Sequence, residues 1–210
     1  MSRILRVLVL GVIFVSAGVP AIAQGTTVSG VSFSGPGLGS PAPIAAFVGT
    51  TVAYEIFFGS IAPVDMTVSL TGTGAVSVFF STFLADTVFN HTGATWTDYH
   101  FILGTGSGST FIPSTSADGL SFAPAPPPLS DIFTTLSQHE DTLDWTGGVV
   151  PSGGPGVNFS FTVNVASSFS SFTVREVPTV PTVAEPATLL LLTSGLAGLA
   201  GIRWRRHRCK

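Results

Sequence analysis

The sequence predicts an all-β protein: an antiparallel β-sandwich of the jelly-roll or immunoglobulin-like class, with an N-terminal signal peptide and a C-terminal transmembrane helix. Three observations predict it. Apolar and polar residues alternate with period two through most of residues 24–177, and no stretch shows the 3.6-residue period of an amphipathic helix. Clusters of Gly, Pro and Ser separate the alternating runs. Basic residues occur almost only at the two ends, each time beside an apolar run.

The N-terminus carries Arg3 and Arg6, then an apolar run from Val7 to Val19, then Pro20-Ala21-Ile22-Ala23. A basic start, an apolar core and an Ala-x-Ala site describe a secretory signal peptide, residues 1–23, cleaved after Ala23. The exported domain is then residues 24–177. Its clearest strand is Gly156 to Val165, where Val157, Phe159, Phe161, Val163 and Val165 alternate with Asn158, Ser160, Thr162 and Asn164. Such a pattern puts one face in a core and the other in water. Val52, Tyr54, Ile56 and Phe58 repeat it, as do Val64, Met66, Val68 and Leu70, and Phe172 with Val174. Further strands are expected at Thr27–Phe33, Ala75–Phe80, Thr95–Leu103, Phe111–Ile112, Leu120–Phe122, Ile132–Ser137 and Thr142–Trp145. Many short strands with turn signals between them favour two sheets packed face to face, with a barrel as the competing closure. A transmembrane barrel is disfavoured because the strands lack aromatic girdles. Ala123 to Pro128 reads as an extended loop that cannot join a ladder, and residues 178–184 as a Pro/Thr spacer.

Residues 185–210 form the C-terminal segment. The run Ala187 to Ile202 would span about 24 Å as a helix, with Trp204 and the arginine stems making up the rest of a bilayer at its interface. Arg203, Arg205, Arg206 and Arg208 in residues 203–210 should stay cytoplasmic and leave the domain outside. Val183-Ala184-Glu185-Pro186-Ala187-Thr188 followed by Leu189 to Leu192, the Gly/Ala/Leu helix and the Arg cluster together resemble a PEP-CTERM sorting signal. The match covers residues 183–208, with Ala184, Glu185 and Pro186 at the motif; Ala184 stands where the motif has its first Pro. The resemblance implies a bacterial cell-surface or exopolysaccharide-associated protein, processed at the membrane by an exosortase-type enzyme. On that reading it is either held by its C-terminal helix or released to the surface or matrix after processing.

Composition narrows the function. Only 9% of residues are charged, against about 25% in an average soluble protein. Residues 24–182 hold ten acidic side chains against the single Arg175, a net charge of −9. Such a surface repels phosphate backbones, which argues against nucleic-acid binding. The only cysteine is Cys209 in the tail, so the domain must hold by packing without a disulfide.

Two places could carry chemistry. Gln138-His139-Glu140-Asp141, followed by Asp144 and Trp145, offers carboxylates and an imidazole that would suit Ca²⁺ better than Zn²⁺. It lacks the spaced pattern of a calcium loop, and a solvated acidic turn between two strands is the plainer reading. In Thr95–Leu103, Tyr99, Phe101 and Leu103 should face the core, and Trp96, Asp98 and His100 the opposite side. An exposed Trp beside an acid and a histidine could stack on a sugar ring and bind its hydroxyls. No Gly-x-Ser-x-Gly elbow, His-Glu-x-x-His or Cys-x-x-Cys occurs. The expectation is a non-enzymatic exported protein with no resident cofactor or metal; the alternative is a displayed carbohydrate-binding module using Trp96, Asp98 and His100, with Trp145 as a further contributor.

Overall fold

Alternating strands in a chain this poor in charge have one economical arrangement, in which two sheets bury their apolar faces against each other. A computed structural model describes residues 25–80, 87–115 and 117–181 and shows two seven-stranded, mostly antiparallel sheets. The strands are β1 (Thr27–Ser34), β2 (Ile44–Val48), β3 (Thr51–Phe58), β4 (Val64–Thr71), β5 (Val76–Phe80), β6 (Thr87–Asn90) and β7 (Asp98–Thr105). They continue as β8 (Ile112–Pro113), β9 (Leu120–Phe122), β10 (Leu129–Ser130), β11 (Thr135–Gln138), β12 (Thr142–Thr146), β13 (Val157–Val165) and β14 (Ser171–Thr179).

The first sheet has the order β1-β4-β14-β7-β12-β11, with β8 beside the end of β7. In the second, β13 lies between β5 and β6 on one side and β9 and β10 on the other, and β3 and β2 complete it beyond β5 and β6. The expected inward residues are inward. Val157, Phe159, Phe161, Val163 and Val165 of β13 are all buried, and so are Val52, Tyr54, Ile56 and Phe58 of β3 and Val64, Met66 and Val68 of β4. Aromatic rings join the two sheets. Phe159 stacks on Tyr99 at 4.8 Å and meets Phe101 edge-on at 4.9 Å, while Phe80 meets Phe172 edge-on at 6.4 Å. Ring pairs in these geometries add about 0.5–1.5 kcal/mol each beyond their buried area. That is how a domain without thiols can hold together.

Four features differ from the sequence-based expectation. β2, β6 and β10 were not foreseen. The strand expected from Thr95 begins at Asp98, and the one expected from Ile132 begins at Thr135. β14 continues through Pro178 and Thr179, paired with Tyr99 and Asp98, so the ladder takes in the first two residues of the expected spacer. Pro178 is tolerated because β4 stops opposite Glu176, leaving that side of β14 without a strand to bond among the described residues. The expected signal peptide, the expected sorting motif at Ala184, Glu185 and Pro186, the expected span 187–202 and Arg203, Arg205, Arg206 and Arg208 lie outside the described residues. Among the described residues no helix is long and apolar enough to cross a membrane.

Candidate functional site

β7 is an interior strand, with β14 on one side and β12 on the other. Its inner face is Tyr99, Phe101 and Leu103, all fully buried, as the alternation requires. Asp98 and His100 lie half-buried on the outer face. Asp144 of β12 sits directly opposite His100 in the ladder, and His100 Nδ1 lies 2.7 Å from Asp144 Oδ1. A carboxylate only accepts, so Nδ1 is the ring nitrogen that donates in this contact. The fold thus joins a histidine from one sequence candidate with an acid from the other. Asp98 is engaged separately, its Oδ2 accepting from Thr97 Oγ1 at 3.0 Å and Thr179 Oγ1 at 3.1 Å.

Trp96 does not join them, which corrects the face assigned to it from the sequence. It is fully buried and packs edge-on against Phe58 at 5.3 Å, with Tyr99 at 5.7 Å. Alternation holds only within a strand, and Trp96 lies before β7, in an isolated bridge to Val150. Its N–H and C=O both bond Val150, at 3.0 Å each. Asn90, itself buried, fixes this turn: its Nδ2 donates to Ala94 O and Val150 O at 2.8 Å each, and its Oδ1 accepts from Thr92 N–H at 3.0 Å. The indole Nε1–H donates to Thr92 Oγ1 at 3.3 Å. The ring closes one end of the core and offers no face to a sugar. Trp145 is also inside, 5.9 Å from the Phe159 ring.

The acidic stretch 138–141 forms the tip of the β11–β12 hairpin. Its backbone is already committed: Asp141 O accepts from Leu103 N–H at 2.9 Å and Glu140 O from Phe122 N–H at 2.6 Å. Among the described residues no three His, Cys, Asp or Glu side chains converge to hold a metal ion. Ser137 Oγ and His139 Nε2 are 3.4 Å apart, a long contact between exposed groups. Among the described residues no Ser, His and Asp are linked in one hydrogen-bonded chain of the triad kind.

Two polar pairs were not anticipated. Arg175 of β14 faces Asp65 of β4, with Nε 2.6 Å from Oδ1 and Nη2 2.9 Å from Oδ2. The loop after β7 folds over them: Gly108 N–H donates to Asp65 Oδ2 at 2.6 Å, and the guanidinium lies 3.9 Å over the Phe111 ring. A Cβ on Gly104 would come within 2.3 Å of Ile112 O and 2.7 Å of the Phe111 ring, so only glycine lets the loop lie this close. The signal was present in the sequence, since a lone cation among so many acids had to neutralise one of them. The second pair is in the core. Tyr99 O–H donates to Glu176 Oε2 at 2.6 Å, with both residues fully buried. Burial pushes the phenol well above its usual range, and the adjacent Glu176 charge adds to that. Phe172 and Val174 already marked the inward positions of β14, and Glu176 is the next one along. No protein family, no curated protein and no solved structure matches this chain, so its function has to be argued from these residues.

Proposed function

We propose that this is a non-enzymatic exported protein of the cell surface or exopolysaccharide matrix, delivered by its signal peptide and sorted through its C-terminal segment. One observation carries the reading. Residues 183–208 hold, in order, the Ala184-Glu185-Pro186 motif, the apolar run 187–202 and the arginines Arg203, Arg205, Arg206 and Arg208. On this reading the two-sheet domain is a sandwich of the jelly-roll or immunoglobulin-like class, and it is the part left outside the membrane. Its chemistry supports that role, because its stability rests on aromatic packing and internal hydrogen bonds that need no reducing or metal-buffered compartment. Charged side chains on the first sheet serve the fold: Arg175 holds Asp65, and Asp98 holds two threonines. An exosortase-type enzyme is the expected partner at the membrane.

The test is the intact mass of the native protein recovered from the cell surface or culture fluid. A chain starting near Gln24 and ending in the Glu185-Pro186 region is the expected result. A chain running from Gln24 to Lys210 would mean a simple single-span anchor, and the sorting part of the reading would fall.

A further inference from the structure

Among the described residues β2 is the last strand of its sheet and pairs only with β3. The β2–β3 hairpin has a two-residue loop, Gly49-Thr50, between the paired Val48 and Thr51. Such a loop is closed by a hydrogen-bonded pair. Val48, Ala46 and Ile44 therefore bond back to β3, while Ala45 and Phe47 turn their N–H and C=O groups toward the open side. The tip is pinned on both flanks, since Gly49 O accepts from Val28 N–H and Thr50 O from Phe79 N–H, each at 2.8 Å. This open ladder is thus held rigid in advance, which lowers the entropic cost of adding a strand.

The strand also lacks what usually blunts an edge. Ile44–Val48 contains no charge, no proline and no register shift. The long edge of the other sheet, β1, is blunted by a register shift between Val28 and Gly30, and β10 is only two residues long. Among the described residues, seven large apolar side chains are exposed, and three of them are on this short strand: Ile44 at 63%, Phe47 at 39% and Val48 at 83%.

We propose that β2 is a homotypic docking edge, at which two copies of this chain pair their β2 strands antiparallel about a two-fold axis through Ala46. That register is favoured by the strand's own pattern. It sets Ala45 opposite the partner copy's Phe47, so the residues with open backbone groups face each other and form four hydrogen bonds. Side chains match as well. Phe47 and Ala45 lie opposite the buried Val52 and Tyr54 of β3 and so share the core-side face, and each half-exposed ring meets a small residue and extends the buried face. On the outer side Ile44 meets Val48, and Ala46 meets itself. Glu55 lies opposite Ile44 on β3, so the two copies' carboxylates sit at opposite ends of the joint and do not repel across it. An edge of five residues buries less than a standard stable interface, so the dimer is weak when dilute and forms where copies are crowded.

Covalent trapping reads a weak dimer. In the full chain with Cys209→Ser, Ala46→Cys places two thiols on a non-hydrogen-bonded pair whose Cα atoms lie about 4.5 Å apart, within disulfide range. Oxidation should give a disulfide-linked dimer as the main product on a non-reducing gel. Val48→Lys, at the more exposed outer position, should cut its yield at least fivefold with the melting temperature unchanged, and Phe47→Lys should cut it as far while also lowering the melting temperature, because that ring is partly buried. Ser168→Cys, in an exposed turn, sets the background from random collision or tail association. If Ala46→Cys stays monomeric, cross-links no more than Ser168→Cys, or is unaffected by both lysines, the proposal is wrong. A monomer at that position would leave the sorting reading standing, since the cleavage test does not depend on it.

Discussion

The first sheet carries two acid–base pairs on its outer face, and they have opposite fates. Asp65–Arg175 and His100–Asp144 are each formed by residues directly opposed on neighbouring strands. Yet the Asp65 side chain is only 2% exposed and Arg175 20%, against 28% and 37% for His100 and Asp144. The strands do not cause this difference. A loop does, because Gly104, Gly106 and Gly108 let the chain after β7 fold back and place Gly108 N–H and the Phe111 ring on the first pair. The outer face of a sheet becomes interior wherever a loop covers it, and a charge there then needs a partner. The second pair has water for company and needs its partner far less.

The comparison breaks most visibly at Arg175. Arg175→Met leaves Asp65 under the loop with only Gly108 N–H to bond. Stranding a buried charge costs roughly 3–5 kcal/mol. With one donor remaining, the lower end applies, about 3 kcal/mol in urea unfolding. Replacing both, as Asp65→Asn with Arg175→Met, should recover more than half of that loss, because the cost is of an unpaired charge and not of a missing attraction. If Arg175→Met costs under about 1 kcal/mol, the covered pair is energetically no different from an exposed one.

Asp118 holds an intermediate place, since it is stabilised without any cation. Burial alone would push its carboxyl up. Hydrogen bonds from Thr115 N–H at 3.0 Å, Ser114 Oγ at 2.8 Å and Leu120 N–H at 3.0 Å outweigh that, and the group lies below its usual value. The sign follows from linkage. A folded-state pKa lower than the unfolded one adds stability above the unfolded value, about 3.9, and loses it as pH falls through the folded value. The stability gap between the native chain and Asp118→Asn should thus be constant from pH 7 down to about 5 and shrink below about 4. A gap that stays flat to pH 3 would mean the bonds hold the neutral acid equally well.

What could be read in advance was whatever depends on neighbours in sequence. Period two placed Val157 to Val165, Val52 to Phe58 and Tyr99 to Leu103 correctly, because a pleated strand imposes that period on its own residues. Ile44 to Val48 escaped, since an apolar edge strand has no polar face to alternate with. Trp96 was misplaced because the end of the alternation is set by its bridge to Val150, a contact distant in sequence. The site was half legible for the same reason. Asp98 and His100 were recognisable as an outer face, but that Asp144 would complete it, and that Arg175 would disappear beneath a loop, depend on strand order. Short-range pattern carries no information about which strands lie side by side.

The smallest effect belongs to the exposed pair. His100→Ala or Asp144→Asn should change stability by less than about 1 kcal/mol, since partly exposed side chains give up rotamer freedom to meet and water screens what they gain. The difference should fade further in 0.5 M salt, where charges interact over only a few ångströms. A double-mutant cycle across the pair in urea unfolding isolates their coupling from whatever else each side chain touches. A coupling above about 2 kcal/mol would show that the pair is held far more tightly than its exposure implies. It would then belong with Asp65–Arg175, and the loop would no longer explain the difference between them.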